Sequence, residues 1–206
     1  MKRVISVSGS EEETVEICEK VAKLSLECSF DSKVKSTDGS ISSIMIKLYG
    51  NDRNKLKEDH KDILAIITDV KNKYNANKKG MFTYKLNDLK TPVNKDLIID
   101  ALKYSKIKHE YIKEDNELLA KITAQELDDL LKDLQEIYVD LSYYPIGSKP
   151  VKNAIVIGVY ISGLEMDEIL ELGLEEGCFR EEDDRIVLNM DITKVKNILC
   201  NSKKSI

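Results

Sequence analysis

The chain has 206 residues, of which 42% are hydrophobic and 33% are charged, and its formal net charge is −5. This composition is that of a chain that folds around a core, and it excludes a disordered or low-complexity protein. No apolar run approaches the roughly 20 residues that cross a bilayer, and the first residues lack a signal-peptide pattern. We therefore expect a cytoplasmic protein of one to three domains.

The chain begins with a predicted strand and helix. Residues 2–8 alternate Val or Ile with Ser, which is typical of a half-buried strand. The sequence Ser10-x-x-Glu13 is a capping box, in which each side chain bonds the backbone amide of the other residue. Apolar residues then recur at helical spacing to about residue 27, which predicts an amphipathic helix.

A hairpin and a longer helix follow. Residues 30–36 and 40–49 are predicted to be strands, joined by a turn at Asp38-Gly39. Gly50 ends the second strand, and Asn51 or Asp52 is suited to cap the next helix, whose apolar stripe reaches residue 74. The predicted order of these elements is strand, helix, strand, strand, helix.

Residues 81–147 are predicted to repeat that order. The predicted elements are a strand at residues 81–86, a helix capped by Asn94, strands at 109–113 and 118–122, and a helix beginning at the capping box Thr123-x-x-Glu126. A linker at residues 143–150 separates this segment from the last one.

Residues 148–206 are predicted to repeat the order a third time. The β-rich run at residues 154–161 predicts a strand, and a helix and a hairpin follow it. Thr193 is the predicted cap of the last helix.

The last two segments share a sequence pattern as well as an order of elements. DLIIDAL before IKHEYIKEDNELLAKIT parallels DEILELGL before CFREEDDRIVLNMDIT. We predict an α+β fold of three ferredoxin-like βαββα units, residues 1–80, 81–147 and 148–206, packed together. The alternative is that short helix–hairpin–helix patterns recur by chance.

Charge is unevenly distributed along the chain. Residues 1–91 hold 17 Lys or Arg and 14 Asp or Glu, a net charge of +3, whereas residues 92–206 hold 15 and 23, a net charge of −8. The first unit is thus mildly basic and the last is acidic. This asymmetry indicates either a basic and an acidic contact surface or two ordinary solvated surfaces.

Motifs of common enzyme and metal sites are absent from the sequence. HExxH, GxxxxGK[ST] and GxGxxG do not occur, the four cysteines form no CxxC pair, and only two histidines, His60 and His109, are present. His60 falls on an apolar helix stripe, so we interpret it as a packed side chain. We expect no catalytic residue, no cofactor and no metal ion, and we interpret the chain as a non-enzymatic protein.

The best candidates for a nucleic-acid contact are basic residues of the first unit. Arg53, Lys55 and Lys57 follow Gly50 at a predicted helix start, where backbone amides and the helix dipole favour anions. Lys78 and Lys79 belong to a second basic stretch, at residues 71–90. We predict that these five residues bind RNA or a ribonucleoprotein, although a solvated helix face is the alternative.

Classical RNA-recognition sheets stack bases on aromatic residues of their third strand. The corresponding strand here offers only Tyr49, at its end, which argues against that mode of binding.

Two other functions stay open. Regulatory amino-acid-binding domains share the ferredoxin-like plait and bind ligands near the first strand–helix turn, here Ser8-Gly9-Ser10, so a small-molecule sensor is possible by fold analogy. The acidic hairpin tips at residues 114–117 and 181–184 are either solvated or dock a basic protein partner, as in a scaffold. Tyr138, Tyr143 and Tyr144 are predicted to pack at a joint or an interface.

The pattern from KRVISVSGSEEE through IMIKLYGNDRNKLK to IVIGVYISGLEMDEI resembles an archaeal protein family of about this length, a domain of unknown function. The resemblance covers most of the chain but includes no diagnostic motif. It implies no activity and identifies no catalytic residue.

Overall fold

The computed structural model describes residues 1–34 and 41–202. These residues divide into two compact units, with the boundary between Thr83 and Tyr84. Each unit combines α-helices with short antiparallel strands, so the predicted α+β class is confirmed. Within the described ranges, no helix is both long and apolar enough to cross a membrane.

The first unit has the predicted order of elements. These are β1 (Lys2–Ser8), α1 (Glu11–Ala22), β2 (Cys28–Val34), β3 (Ile41–Tyr49) and α2 (Arg53–Tyr74). The strands form one antiparallel sheet in the order β1-β3-β2, with the third strand in the middle. The predicted turn at Asp38-Gly39 lies outside the described residues.

Alternation along the strands separates a buried sheet face from an open one. Ile5 of β1 lies opposite Ile46 of β3, and both are buried against α1 and α2. The core of this unit consists of Ile5, Val7, Ile17, Val21, Ile44, Ile46, Leu48, Leu56, Ile63, Ile67 and Val70. Burial of each such side chain contributes about 1.5–3 kcal/mol. The intervening residues, such as Val4, Met45 and Tyr49, therefore lie on the sheet face away from the helices.

Polar contacts hold α1 against α2. The Glu16 carboxylate accepts hydrogen bonds from Lys73 Nζ at 2.8 Å and from the Tyr74 hydroxyl at 2.9 Å, and Lys20 Nζ lies 3.5 Å away. Desolvation alone would raise the pKa of Glu16, but the bonds and charges of these partners outweigh it and lower the pKa below its ordinary value. Glu16 is therefore ionised where the two helices meet.

The second unit contains the last two residues of β4 and all later elements. These are β4 (Phe82–Lys85), α3 (Lys95–Tyr104), β5 (His109–Ile112), β6 (Glu117–Ala120), α4 (Ala124–Asp140), α5 (Lys149–Ser162), α6 (Met166–Glu175), β7 (Phe179–Glu182), β8 (Arg185–Leu188) and α7 (Ile192–Asn201). Strands β4, β6 and β5 form a sheet in the order β4-β6-β5, so the segment from β4 to α4 repeats both the element order and the strand order of the first unit.

The strand predicted at residues 154–161 is wrong, because this segment belongs to α5. Its run from Ala154 to Ile157 is fully buried, and α5 contacts α3, α4, α6 and α7. A helix surrounded on all sides is apolar all round, so its periodicity does not distinguish it from a buried strand. The ends carry the informative signals, Pro150 in the first turn and Gly163 with φ +72° at the carboxyl end.

The last segment is consequently helix, helix, strand, strand, helix, and the prediction of a third βαββα unit is wrong. The predicted parallel between the last two segments holds for part of their length. Elements α6, β7, β8 and α7 have the same helix–hairpin–helix order as α3, β5, β6 and α4. The cap of α7 is Asp191 rather than Thr193, since Asp191 Oδ1 accepts hydrogen bonds from the backbone amides of Thr193 and Lys194. The predicted boundary between residues 147 and 148 stays a prediction.

Candidate nucleic-acid interface

The first turn of α2 carries the predicted basic residues on an exposed surface. Asp52 caps the helix, because its Oδ1 accepts hydrogen bonds from the backbone amides of Asn54 at 2.7 Å and Lys55 at 3.4 Å. Arg53, Lys55 and Lys57 are exposed, and the first turn contains no acidic residue. Cations at the positive end of a helix are unfavourable for the helix itself. The three side chains therefore place exposed positive charge around a helix start that the Asp52 carboxylate already caps.

Strand pairing brings Tyr49 and Lys2 to the same end of the first unit. The backbone nitrogen of Met1 donates to the Gly50 carbonyl at 2.7 Å, which places the start of β1 beside the turn into α2. Lys2 is the register partner of Tyr49, and its Nζ lies 6.0 Å from the centre of the Tyr49 ring. We call Lys2, Tyr49, Arg53, Lys55 and Lys57 together the cationic end.

Tyr49 presents an aromatic surface on the open face of the sheet. Its side chain is 41% exposed, and its hydroxyl lies 3.4 Å from Ser29 Oγ. Lys47, two residues earlier on the same face, forms an ion pair with Asp31. The hydrogen bond between Lys47 and Asp31 is the main reason that the pKa of Lys47 is raised, so the Lys47 ammonium already has a partner. The face thus offers one aromatic ring beside the positive charges of the cationic end.

The structure does not bring all five predicted residues together. Helix α2 has 22 residues, and at 1.5 Å per residue it is about 33 Å long. Lys78 and Lys79 follow its carboxyl end, whereas Arg53 begins it. The first three predicted residues and the last two therefore form separate surfaces at opposite ends of α2.

Lys78 and Lys79 belong to a loop with a defined backbone. Asn77 Oδ1 accepts hydrogen bonds from the amides of Lys79 at 2.9 Å and Met81 at 3.1 Å. Gly80 adopts φ +71°, a conformation that side-chain-bearing residues rarely adopt. The two lysines are exposed on this loop.

A pocket lies at the far end of the first unit, at the predicted turn Ser8-Gly9-Ser10. Its volume is about 440 Å³, and its lining includes Ser8, Gly9, Glu13, Lys71, Asn75 and Met81. Glu13 is only 6% exposed, and its carboxylate accepts hydrogen bonds from the Ser10 amide at 2.6 Å and from Asn75 Nδ2. The predicted capping box is present and is joined to the end of α2 by Asn75.

Sequence patterns did not indicate the roles of Asn75 and Gly9. Asn75 ends α2, and its Nδ2 also donates to the Lys71 carbonyl at 3.0 Å. A Cβ atom at Gly9 would lie 2.4 Å from Glu13 Oε2, so any larger residue here requires the Glu13 side chain to move. Neither role has a local sequence signature, because both depend on how α1 and α2 pack.

The two histidines and the acidic hairpin tips do not form a metal centre. His60 is half-buried on α2, and His109 Nδ1 lies 2.9 Å from the Ile107 carbonyl. Asn116, Asp183 and Asp184 at the tips adopt positive φ, as tight turns require. In the part of the chain that the structure describes, no group of three or more His, Cys, Asp or Glu is placed to hold a metal ion.

These features define an α+β protein whose first unit has a basic surface at each end of α2 and a pocket at Ser8-Gly9-Ser10, without a recognisable catalytic constellation among the described residues. The chain belongs to the family described as "uncharacterized protein conserved in archaea (DUF2067)", whose sequence model matches residues 8–197.

Two relatives match over nearly their whole length. An uncharacterized protein of Methanococcus vannielii is 47% identical over 205 residues, covering 99% of this chain and 100% of the relative. An uncharacterized protein of Methanocaldococcus jannaschii is 36% identical over 200 residues, covering 97% of this chain and 93% of the relative. No solved structure matches the chain.

Proposed function

We propose that this chain is a non-enzymatic RNA-binding protein that docks RNA, free or in a ribonucleoprotein, through the cationic end of its first unit. The observation that supports this is the position of Tyr49 and Lys2 beside the first turn of α2, where Arg53, Lys55 and Lys57 are exposed. The proposal treats the first unit as a ferredoxin-like βαββα plait whose open sheet face meets the RNA.

The chemistry of the cationic end favours a phosphate backbone with one unstacked base. The exposed side chains of Arg53, Lys55 and Lys57 supply positive charge to a phosphate and to its neighbours, while the first amides of α2 remain bonded to Asp52. Tyr49 is the single ring on which a base stacks. One stacked base and charge contacts give little sequence discrimination, so we expect a preference for single-stranded RNA with weak sequence specificity.

The run of cations without an intervening acidic residue covers about the first turn and a half of α2. Glu58 and Asp59 follow Lys57 directly and limit the patch along the helix. Three cations acting on phosphates correspond to a slope of about −2 in a plot of log K against log salt, at about 0.7 per phosphate for single strands. Binding that is tight at low salt should therefore weaken strongly with added KCl.

Fluorescence anisotropy of a labelled single-stranded RNA between about 50 and 200 mM KCl tests the proposal. Replacing Lys55 and Lys57 with Gln removes two contacts, so the salt slope should fall in magnitude by about 1.4. Tyr49→Leu should weaken binding at least about fivefold, because stacking of a base contributes about 1–3 kcal/mol.

The matched control removes two exposed charges from the other unit, by Lys132→Gln with Lys194→Gln. We expect it to leave the affinity and the salt slope nearly unchanged. The pair Lys78→Gln and Lys79→Gln tests whether the surface beyond α2 takes part. No binding at low salt, or equal losses in the Lys55/Lys57 variant and the control, would exclude a docking site at the cationic end.

A second candidate function, a small-molecule sensor, is favoured by the pocket at Ser8-Gly9-Ser10. The pocket is lined by polar groups and Met81, and Lys71 and Asn72 add hydrogen-bond donors to it. The first turn of α1 carries Glu11, Glu12 and Glu13, which disfavours a bare anion. A zwitterionic or amine-bearing metabolite fits this combination of charges best.

A thermal-shift screen with amino acids and other amine-bearing metabolites tests this candidate. A ligand at 100 times its Kd raises the free energy of unfolding by about 2.7 kcal/mol, which is readily detected. Asn72→Ala should abolish the shift, while Asn54→Ala, an exposed change at the other end of α2, should preserve it. A screen without any shift, or a shift unaffected by Asn72→Ala, would reject a sensor at this pocket.

A further inference from the structure

A separate open pocket lies within the second unit. It has a volume of about 510 Å³ and is formed by the end of α4, the turn that follows it, α5 and the start of α6. Its walls include Asp140, Tyr143, Tyr144, Val159, Met166 and Asp167. It therefore combines carboxylates, aromatic rings and an apolar floor.

Carboxylates are concentrated at this pocket, and two of them are Asp140 and Asp167. Asp140 is the last residue of α4, where the helix carbonyls already carry partial negative charge, and the last turn of α4 has no basic residue. None of the described residues that line the pocket is Lys or Arg. The arrangement is unfavourable for α4 alone, and a bound cation would relieve it.

A hydrogen bond fixes the second carboxylate. The Tyr144 hydroxyl donates to Asp167 Oδ1 at 2.8 Å, and this bond is the main reason that the pKa of Tyr144 is raised. The hydroxyl therefore stays protonated at neutral pH and holds Asp167 in place. Asp167 is itself one of the residues that line the pocket.

Tyr143 is not the packed residue that the sequence predicts. Its side chain is 85% exposed, and Val139, one turn earlier, is 50% exposed. Exposed aromatic and apolar side chains beside a pocket are typical of interaction sites. Tyr143 thus lines the pocket and also faces solvent, which suits a side chain carried by a peptide better than a free small amine.

We propose that this pocket binds a lysine or arginine side chain of a basic protein partner. The alkyl part of the side chain lies on Val159 and Met166, and its charged end faces Asp140 and Asp167. Tyr143 adds a cation–π contact, which contributes more as the site is desolvated. This proposal concerns the second unit and does not depend on RNA binding by the first.

Titration with short peptides, followed by the backbone amide signals of the full chain in NMR spectra, tests the proposal. The probe is a capped peptide with a central leucine–lysine–leucine sequence, and its matched control has norleucine in place of lysine. Spermidine serves as a free amine. We expect saturable shifts around residues 139–144 and 165–167 with the lysine peptide and none with the norleucine peptide.

Variants assign the binding to the pocket. Tyr143→Ala and Asp140→Asn should each weaken the lysine peptide about fivefold to tenfold. Neither change should unfold the protein, because Tyr143 and Asp140 are exposed. The control Asp183→Asn removes the same charge from a hairpin tip, at a positive φ that Asn tolerates, and should change the affinity less than about twofold.

Several results would overturn the proposal. Absence of shifts with the lysine peptide would exclude the site, and equal binding of the norleucine peptide would exclude recognition of the cation. An equal loss in Asp183→Asn would show that only the diffuse charge of the unit acts. Displacement of the peptide by equimolar spermidine would show a free-amine site in place of a protein-docking one.

Discussion

Replacing Gly9 with Ala tests the most specific packing requirement in the first unit. The new Cβ would lie 2.4 Å from Glu13 Oε2 and 3.1 Å from Glu13 Cδ, so the carboxylate must move. Glu13 is buried and its carboxylate joins the Ser10 amide to Asn75. Its displacement breaks the capping box and the tie between α1 and α2 at the same time.

The expected cost follows from these lost contacts. Loss of a capping interaction costs about 0.5–2 kcal/mol, and a buried group left without its partner costs about 1–3 kcal/mol. The reduced freedom of the unfolded chain offsets about 0.4–1 kcal/mol of this. We therefore expect Gly9→Ala to lower the free energy of unfolding by about 1–3 kcal/mol.

A double-mutant cycle with Glu13→Ala makes the prediction specific. In the Glu13→Ala background the closest of these atoms to the new Cβ is the Cβ of residue 13 at 3.3 Å, so Gly9→Ala should cost much less there. Urea unfolding followed by circular dichroism measures the four variants, and hydrogen exchange of the α1 amides assigns the loss to the first unit. An equal cost of Gly9→Ala in both backgrounds would refute the steric explanation.

Three further predictions concern buried polar groups. Asn153 is 93% buried with no hydrogen-bond partner for Oδ1 among the described residues, so Asn153→Leu should leave the melting temperature unchanged or raise it, as scanning calorimetry can measure. The pKa of Glu16 is lower in the folded state than in the unfolded state. The stability that ionised Glu16 contributes is therefore present above its unfolded-state pKa and is lost as the pH falls through its folded-state pKa. Glu16→Gln should therefore destabilise the chain at pH 7 and progressively less in acid, in urea titrations across that range. Burial, with the Asp100 carboxylate nearby, raises the pKa of Cys200 to about 12, so iodoacetamide at pH 8 should modify this thiol only after unfolding, as peptide mass mapping would show.

Local signals in the sequence predicted the starts of α1, α2, α3 and α4. The structure contains the predicted capping boxes at Ser10 and Thr123 and the predicted caps Asn94 and Asp52. A cap involves only residues within one helical turn of each other, so the local sequence is enough to predict it. Helix α5 was missed because burial on every side removes the polar face that a helical pattern needs. Recognition of Pro150 and Gly163 as helix ends would have corrected it.

The candidate site was predictable only in part, because the local sequence determines some of its residues and the packing of the unit determines the others. Arg53, Lys55 and Lys57 are close in sequence, so their common surface could be predicted from the helix start. The addition of Lys2 and Tyr49 depends on the register between β1 and β3, and the separation of Lys78 from Arg53 depends on the length of α2. These are properties of the packed unit and not of any local segment.

The two proposed surfaces carry opposite charge and belong to different units of the chain. The cationic end lies within residues 1–83, and the carboxylate–tyrosine pocket lies within residues 84–206. Each unit has its own buried core, so an exposed substitution in one should leave the fold of the other intact. The Lys55 and Lys57 variant should therefore retain full affinity for the lysine peptide, and Tyr143→Ala should retain full affinity for RNA. A loss of both activities from either change would mean that one surface, or one conformational change, serves both ligands, and the two proposals would then have to be replaced by a single one.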